Sequence, residues 1–60
     1  MNLQEVFALS KEKIDRNICY INHVEQDKFM AHSFSKNNSV VNQYVFKITK
    51  DNELKIIDEN

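Results

Sequence analysis

Cys19, His23 and His32 stand close together in the chain and are its only thiol and its only two imidazoles. Thiolate and imidazole are donors that zinc and copper accept, and a structural metal is one way to hold a very small domain together. A thiol beside an imidazole can also form a nucleophile–base pair. The spacing supports neither reading. There is no Cys-x-x-Cys or His-x-x-x-His, no obvious fourth ligand, and nothing that would build an oxyanion site. A small apolar thiol and two semi-exposed histidines account for the same residues.

Ser10-Lys11-Glu12-Lys13 matches the Ser-x-x-Lys pattern of acyl-transfer enzymes, in which one helical turn brings the lysine beside the nucleophile. Its companion motifs are absent, and a chain of 60 residues with 0 Gly cannot shape the loops such a site needs. The segment reads as a solvated helix face. The lack of Gly also removes every phosphate-cradling loop. The sequence therefore predicts no enzyme, no cofactor and no metal.

The elements that must position these residues follow from periodicity. Asn2 reads as an N-cap with Glu5 in the capping-box position. Leu3, Val6, Phe7 and Ile14 recur at helical spacing, and Leu9 falls off the stripe. Lys11, Lys13 and Arg16 suit the negative end of the dipole, and Asn17 suits a left-handed C′ position. These features predict a helix over residues 3–15.

Beyond Asn17 the pattern turns to β-branched and aromatic residues, with strands expected at 18–25, 28–35, 39–49 and 54–58. Short polar connections make an antiparallel meander. The fold class is α+β, order α-β-β-β-β, in one domain with the helix on one face of a four-stranded sheet.

Register follows from asking which pairing gathers apolar residues on one face. Two-residue turns at Gln26-Asp27 and Asn37-Asn38, and a three-residue turn at Lys50-Asp51-Asn52 with Asn52 left-handed, agree with one another. They set Glu25 opposite Lys28, Val24 opposite Phe29, Phe29 opposite Phe46, and Ile48 opposite Leu54. The helix-side face then holds Ile18, Tyr20, Val24, Phe29, Ala31, Tyr44, Phe46, Ile48, Leu54 and Ile56. The reverse face holds Cys19, His23, His32, Gln43, Lys47 and Lys55 together with Ile21, Met30, Phe34, Val41, Val45 and Ile57; its charges sit near one end, and the apolar zone is too large for a surface left in water.

Composition narrows the function classes. The formal net charge is −1 with acids and bases interspersed, which predicts no strong attraction to nucleic acid or anionic lipid. No apolar run approaches the roughly 20 residues of a membrane span. The N-terminus lacks a signal-peptide pattern, and the single thiol suits a reducing compartment. A cytoplasmic location is the expectation. So short a domain is marginally stable alone.

The function expected is a small non-enzymatic protein–protein interaction module. It is an accessory or inhibitory protein of the size and Gly-poor composition seen among bacterial and phage proteins. It would lay its apolar reverse face (Ile21, Met30, Phe34, Val41, Val45, Ile57) or an edge strand on a protein partner, most economically a second copy in a homodimer. A single-stranded nucleic-acid-binding sheet and a metal-stapled domain are the alternatives.

Overall fold

The computed structural model describes residues 1–34 and 41–59. Helix α1 (Leu3–Lys13) is followed by β1 (Ile18–His23), β2 (Lys28–Phe34), β3 (Val41–Ile48) and β4 (Leu54–Glu59). The strands form one antiparallel sheet in the order β1-β2-β3-β4, as the periodicity predicts. The Asn37-Asn38 turn, with Ser35, Lys36, Ser39 and Val40, lies outside the described residues.

The helix starts where the capping box requires. Asn2 Oδ1 accepts from the Glu5 amide at 2.8 Å, and the Asn2 amide donates to Glu5 Oε1 at 3.1 Å. Two orphan donors of the first turn are thereby satisfied. The helix ends two residues before the expected boundary, and Asn17 is not left-handed; among the described residues only Asn52 has positive φ outside Gly. Asp15 supplies the reason. Its Oδ1 accepts from the Asn17 amide at 2.9 Å, and the Ile18 amide donates to its carbonyl at 3.0 Å. An Asx-type turn thus replaces the left-handed cap.

The core lies between α1 and one sheet face. Val6, Ile18, Phe29, Ala31 and Phe46 are buried, with Phe7, Ile14, Ile21, Tyr44, Ile48 and Leu54 packed around them. Phe29 and Phe46 face each other across β2 and β3 with ring centroids 5.7 Å apart. Each fully buried side chain of this size contributes about 1.5–3 kcal/mol. Leu3 stays exposed despite its place on the helical stripe. Ser10, expected in solvent, is fully buried one turn beyond Val6, its Oγ donating to the Phe7 carbonyl at 2.7 Å.

The β2–β3 register and the start of β3–β4 match the sequence reading: Phe29↔Phe46, Ala31↔Tyr44, Ile48↔Leu54 and Phe46↔Ile56. Asn52 has φ 62, and its amide donates to the Thr49 carbonyl at 2.9 Å. This is the three-residue hairpin loop the sequence predicts.

In β1 the register differs by one. The Gln26-Asp27 turn forms, with Glu25 and Lys28 exchanging backbone bonds of 3.2 and 3.3 Å. The Val24 amide, however, also donates to the Lys28 carbonyl, at 2.9 Å. Two consecutive amides on one carbonyl are the mark of a bulge. The extra residue sets His23, not Val24, opposite Phe29 and Ile21 opposite Ala31. A second irregularity between Ile18 and Tyr20 leaves Cys19 unpaired and returns Ile18 to the core.

Candidate functional site

The shift in β1 redraws the reverse face. Ile21 leaves it for the helix side, where it packs against the core, and Ile57 falls in a bulge without a cross-strand partner, so pairing places neither of these expected contact residues on this surface. Tyr20, expected in the core, takes its place beside His32, with ring centroids 5.8 Å apart and planes tilted by 48°. Val24 lies in the loop and is exposed.

Cross-strand pairing arranges the reverse face in rows. Phe34 pairs with Val41 at one end. Next come Tyr20, His32 and Gln43, then Asn22, Met30, Val45 and Asp58, and finally Lys28, Lys47 and Lys55. Met30 and Val45 are half-buried by their neighbours, while Tyr20 and Phe34 are 54% and 44% exposed. Ile57 is the surplus residue of a bulge between Ile56 and Asp58, and is 48% exposed. Met30, Phe34 and Val45 thus share this face, with Tyr20 in the place expected for Ile21, and the Val41 side chain lies outside what the structure describes.

One end of this face is basic. Lys47 stands opposite both Lys28 and Lys55, and like charges directly opposite in a sheet repel. With Asp58 included, the face carries three lysines and one carboxylate, a formal +2 on a chain of net −1. The remaining residues therefore sum to −3. Glu25, Asp27, Asp51 and Glu53 lie in the loops at the lysine end.

The structure separates the three ligand-type residues. His23 lies on the helix side, its ring stacked on Phe29 at 4.6 Å and its Nε2 3.0 Å from the Gln26 carbonyl, which makes that nitrogen the donor. His32 lies on the reverse face. Cys19 sits in the bulge, its Sγ 3.9 Å from the His32 carbonyl. The shared face on which a metal site depended does not exist. Among the described residues no group of three His, Cys, Asp or Glu is placed to hold a metal ion.

The polar cluster that does form was not expected. Ser33 Oγ and Tyr44 OH both donate to Asp15 Oδ2 at 2.9 Å. With the Asn17 amide on Oδ1, the carboxylate accepts three hydrogen bonds. The Asn17 amide foremost, then the Ser33 and Tyr44 hydroxyls, hold the Asp15 carboxyl below its ordinary value of 3.8, against the opposing effect of burial. Burial, followed by the bond to Asp15, raises the Tyr44 phenol above 10.0. Ser33 and Ser10, the buried hydroxyls, are thus both committed to internal acceptors. The cluster pins the helix exit to β2 and β3, and its hydroxyls are not free nucleophiles.

On the helix side, a groove of about 610 Å³ runs between the end of α1 and β4. Leu9, Lys13, Glu53, Leu54 and Ile56 line it, so Leu9 does have a task despite its place off the stripe. β1 and β4 are the two edges of the sheet. No helix among the described residues is long and apolar enough to cross a membrane.

No protein-family model, curated protein or solved structure matches this chain.

Proposed function

We propose that this chain is a non-enzymatic protein–protein interaction module, an accessory or inhibitory protein whose contact surface is the reverse face of the sheet. One observation carries the reading. The helix packs on one face, and the other presents Tyr20, Met30, Phe34 and Val45 around His32 across β1, β2 and β3. Contiguous apolar surface on a small domain ordinarily marks an interaction site. Aromatic side chains with a lysine rim fit the anatomy of a protein contact.

Photo-crosslinking in the producing cells tests the proposal. Benzoylphenylalanine at Phe34 should give a discrete protein adduct, and the same residue at Glu12, on the exposed side of α1, should not. Adding Val45→Asp should remove the Phe34 adduct while the circular dichroism stays unchanged. Equal labelling from both positions, or none from either, refutes the proposal.

A second reading draws support from Tyr20, which joins His32 and Phe34 on the face that carries Lys28, Lys47 and Lys55. Aromatic platforms with nearby lysines bind single-stranded nucleic acid by stacking and phosphate contact. Three lysine–phosphate contacts would give a slope of about −2 in log K against log salt. The loop carboxylates beside the lysines weigh against this reading. Failure of the chain to retain oligo(dT) at low salt would dispose of it.

A further inference from the structure

β4 is an edge strand, and both Ile56 and its neighbour Ile57 are nearly half exposed, at 46% and 48%. Such edges invite pairing with another strand unless something prevents it. A lysine or a bulge usually does so, and β4 has both. Their positions here act in the opposite sense.

In a regular strand, residues three apart point to opposite faces. The bulge at Ile57 cancels that alternation. Lys55 pairs with Lys47 and Asp58 with Val45, which places both on the reverse face. Leu54 and Glu59 pair with Ile48 and Tyr44, which places both on the helix side. The outer residues of the strand, Leu54 and Lys55 at one end and Glu59 and Asp58 at the other, therefore present the same sequence of faces from either end, as a two-fold symmetric contact requires.

We propose that β4 is the dimerisation edge of this protein, pairing antiparallel with β4 of a second copy about a two-fold axis between Ile56 and Ile57. In that register Lys55 stands opposite the partner's Asp58, and Asp58 opposite the partner's Lys55. Ile56 and Ile57 meet their counterparts at the centre, where both are otherwise half in water. Registers centred on Lys55 or on Asp58 bring like charges together and are disfavoured. β1 offers no comparable selection, because Ile18–His23 contains no carboxylate, lysine or arginine.

The dimer would have one continuous sheet of eight strands. The two grooves lined by Leu9, Leu54 and Ile56 would flank the seam on the helix side. The reverse faces would join into one surface of twice the width. The proposal rests on the reading of this chain as an interaction module, but it uses the edge rather than the face, so the two can fail separately.

Sedimentation equilibrium of the full chain over a wide concentration range tests it, with circular dichroism confirming that each variant is folded. The wild type should show a monomer–dimer equilibrium. Lys55→Asp or Asp58→Lys alone turns two symmetric attractions into repulsions and should raise the dimer Kd about tenfold. The double variant Lys55→Asp/Asp58→Lys restores opposite charges and should return the Kd to near the wild-type value, and Phe34→Asp, on the reverse face but two strands away from β4, should leave it unchanged. A strictly monomeric wild type overturns the proposal, as do single reversals without effect or a double variant that fails to recover. Loss of the dimer in Phe34→Asp alone would also overturn it, while leaving the reverse face as the contact between copies.

Discussion

Tyr44 donates its phenolic proton to Asp15 across 2.9 Å, a bond that joins the middle of β3 to the turn where the helix ends. The two residues are 29 positions apart in the chain. With Ser33 they make the polar counterpart of the apolar core, and they fix the approach of α1 to a sheet it covers with few large side chains.

Removing that acceptor should be felt strongly. Asp15→Ala leaves the buried Ser33 hydroxyl and the Tyr44 phenol without their partner and unlatches the Asn17 turn. The expected loss is about 1–3 kcal/mol. In a domain this small each kcal/mol lowers Tm by roughly 4–8 °C. Thermal melts followed by far-UV circular dichroism will measure it, and an unchanged Tm would mean the cluster contributes nothing.

The same cluster sets the pH range of stability. Asp15 has a folded-state pKa below its ordinary value, so its contribution is fully present above the unfolded pKa and is lost as pH falls through the folded one. Tyr44 is shifted upward, so its contribution is present below 10.0 and is lost as pH rises through the folded value. Urea titrations should show an acid limb that flattens in Asp15→Asn and an alkaline limb that flattens in Tyr44→Phe. Limbs of wild-type steepness in both variants would assign them to other groups.

Two aspartate substitutions should separate the faces. Ile21→Asp puts a carboxylate against the core and should cost about 2–5 kcal/mol, enough to unfold a domain of this size. Val45→Asp puts the same group on the uncovered face and should cost about 1 kcal/mol. Equal destabilisation by the two would contradict the shifted register of β1.

Asn52 supplies a turn conformation usually left to glycine, in a chain with 0 Gly. Asn52→Gly should therefore be neutral or slightly stabilising. Asn52→Val should destabilise by about 1–2 kcal/mol, since a β-branched residue resists positive φ. Chemical denaturation midpoints will rank the three, and a valine variant as stable as the wild type would mean the loop has changed its geometry.

Much of the fold is legible in the amino-acid order because turn chemistry and alternation agree there. Phe29 and Phe46 meet because the hydrophobic pattern of β2 and β3 allows one register only, and Asn52 marks its loop by type and position. β1 departs from its alternation for a physical reason. Its turn forms at Gln26-Asp27 as the residue types dictate, but Val24 and Glu25 share one partner carbonyl, and no residue type announces a bulge. Tyr20 and Ile21 are adjacent and both apolar, so alternation could not choose which would face the helix. That choice moved one residue off the candidate surface and brought another onto it. The Asp15 cluster left no local signal, because its members come together only when the strands are paired.

The bulge at Cys19 has one more consequence, for the length of the chain. The ladder between β1 and β2 passes from Ile18 to Tyr20 with only one step on the opposite strand, from Ser33 to His32. Without Cys19, the same partners would meet in plain alternation, Ile18 toward the helix and Tyr20 away from it. The position is thus one where the backbone can absorb a deletion without moving the core. The chain carries its sole thiol on a residue the sheet does not count.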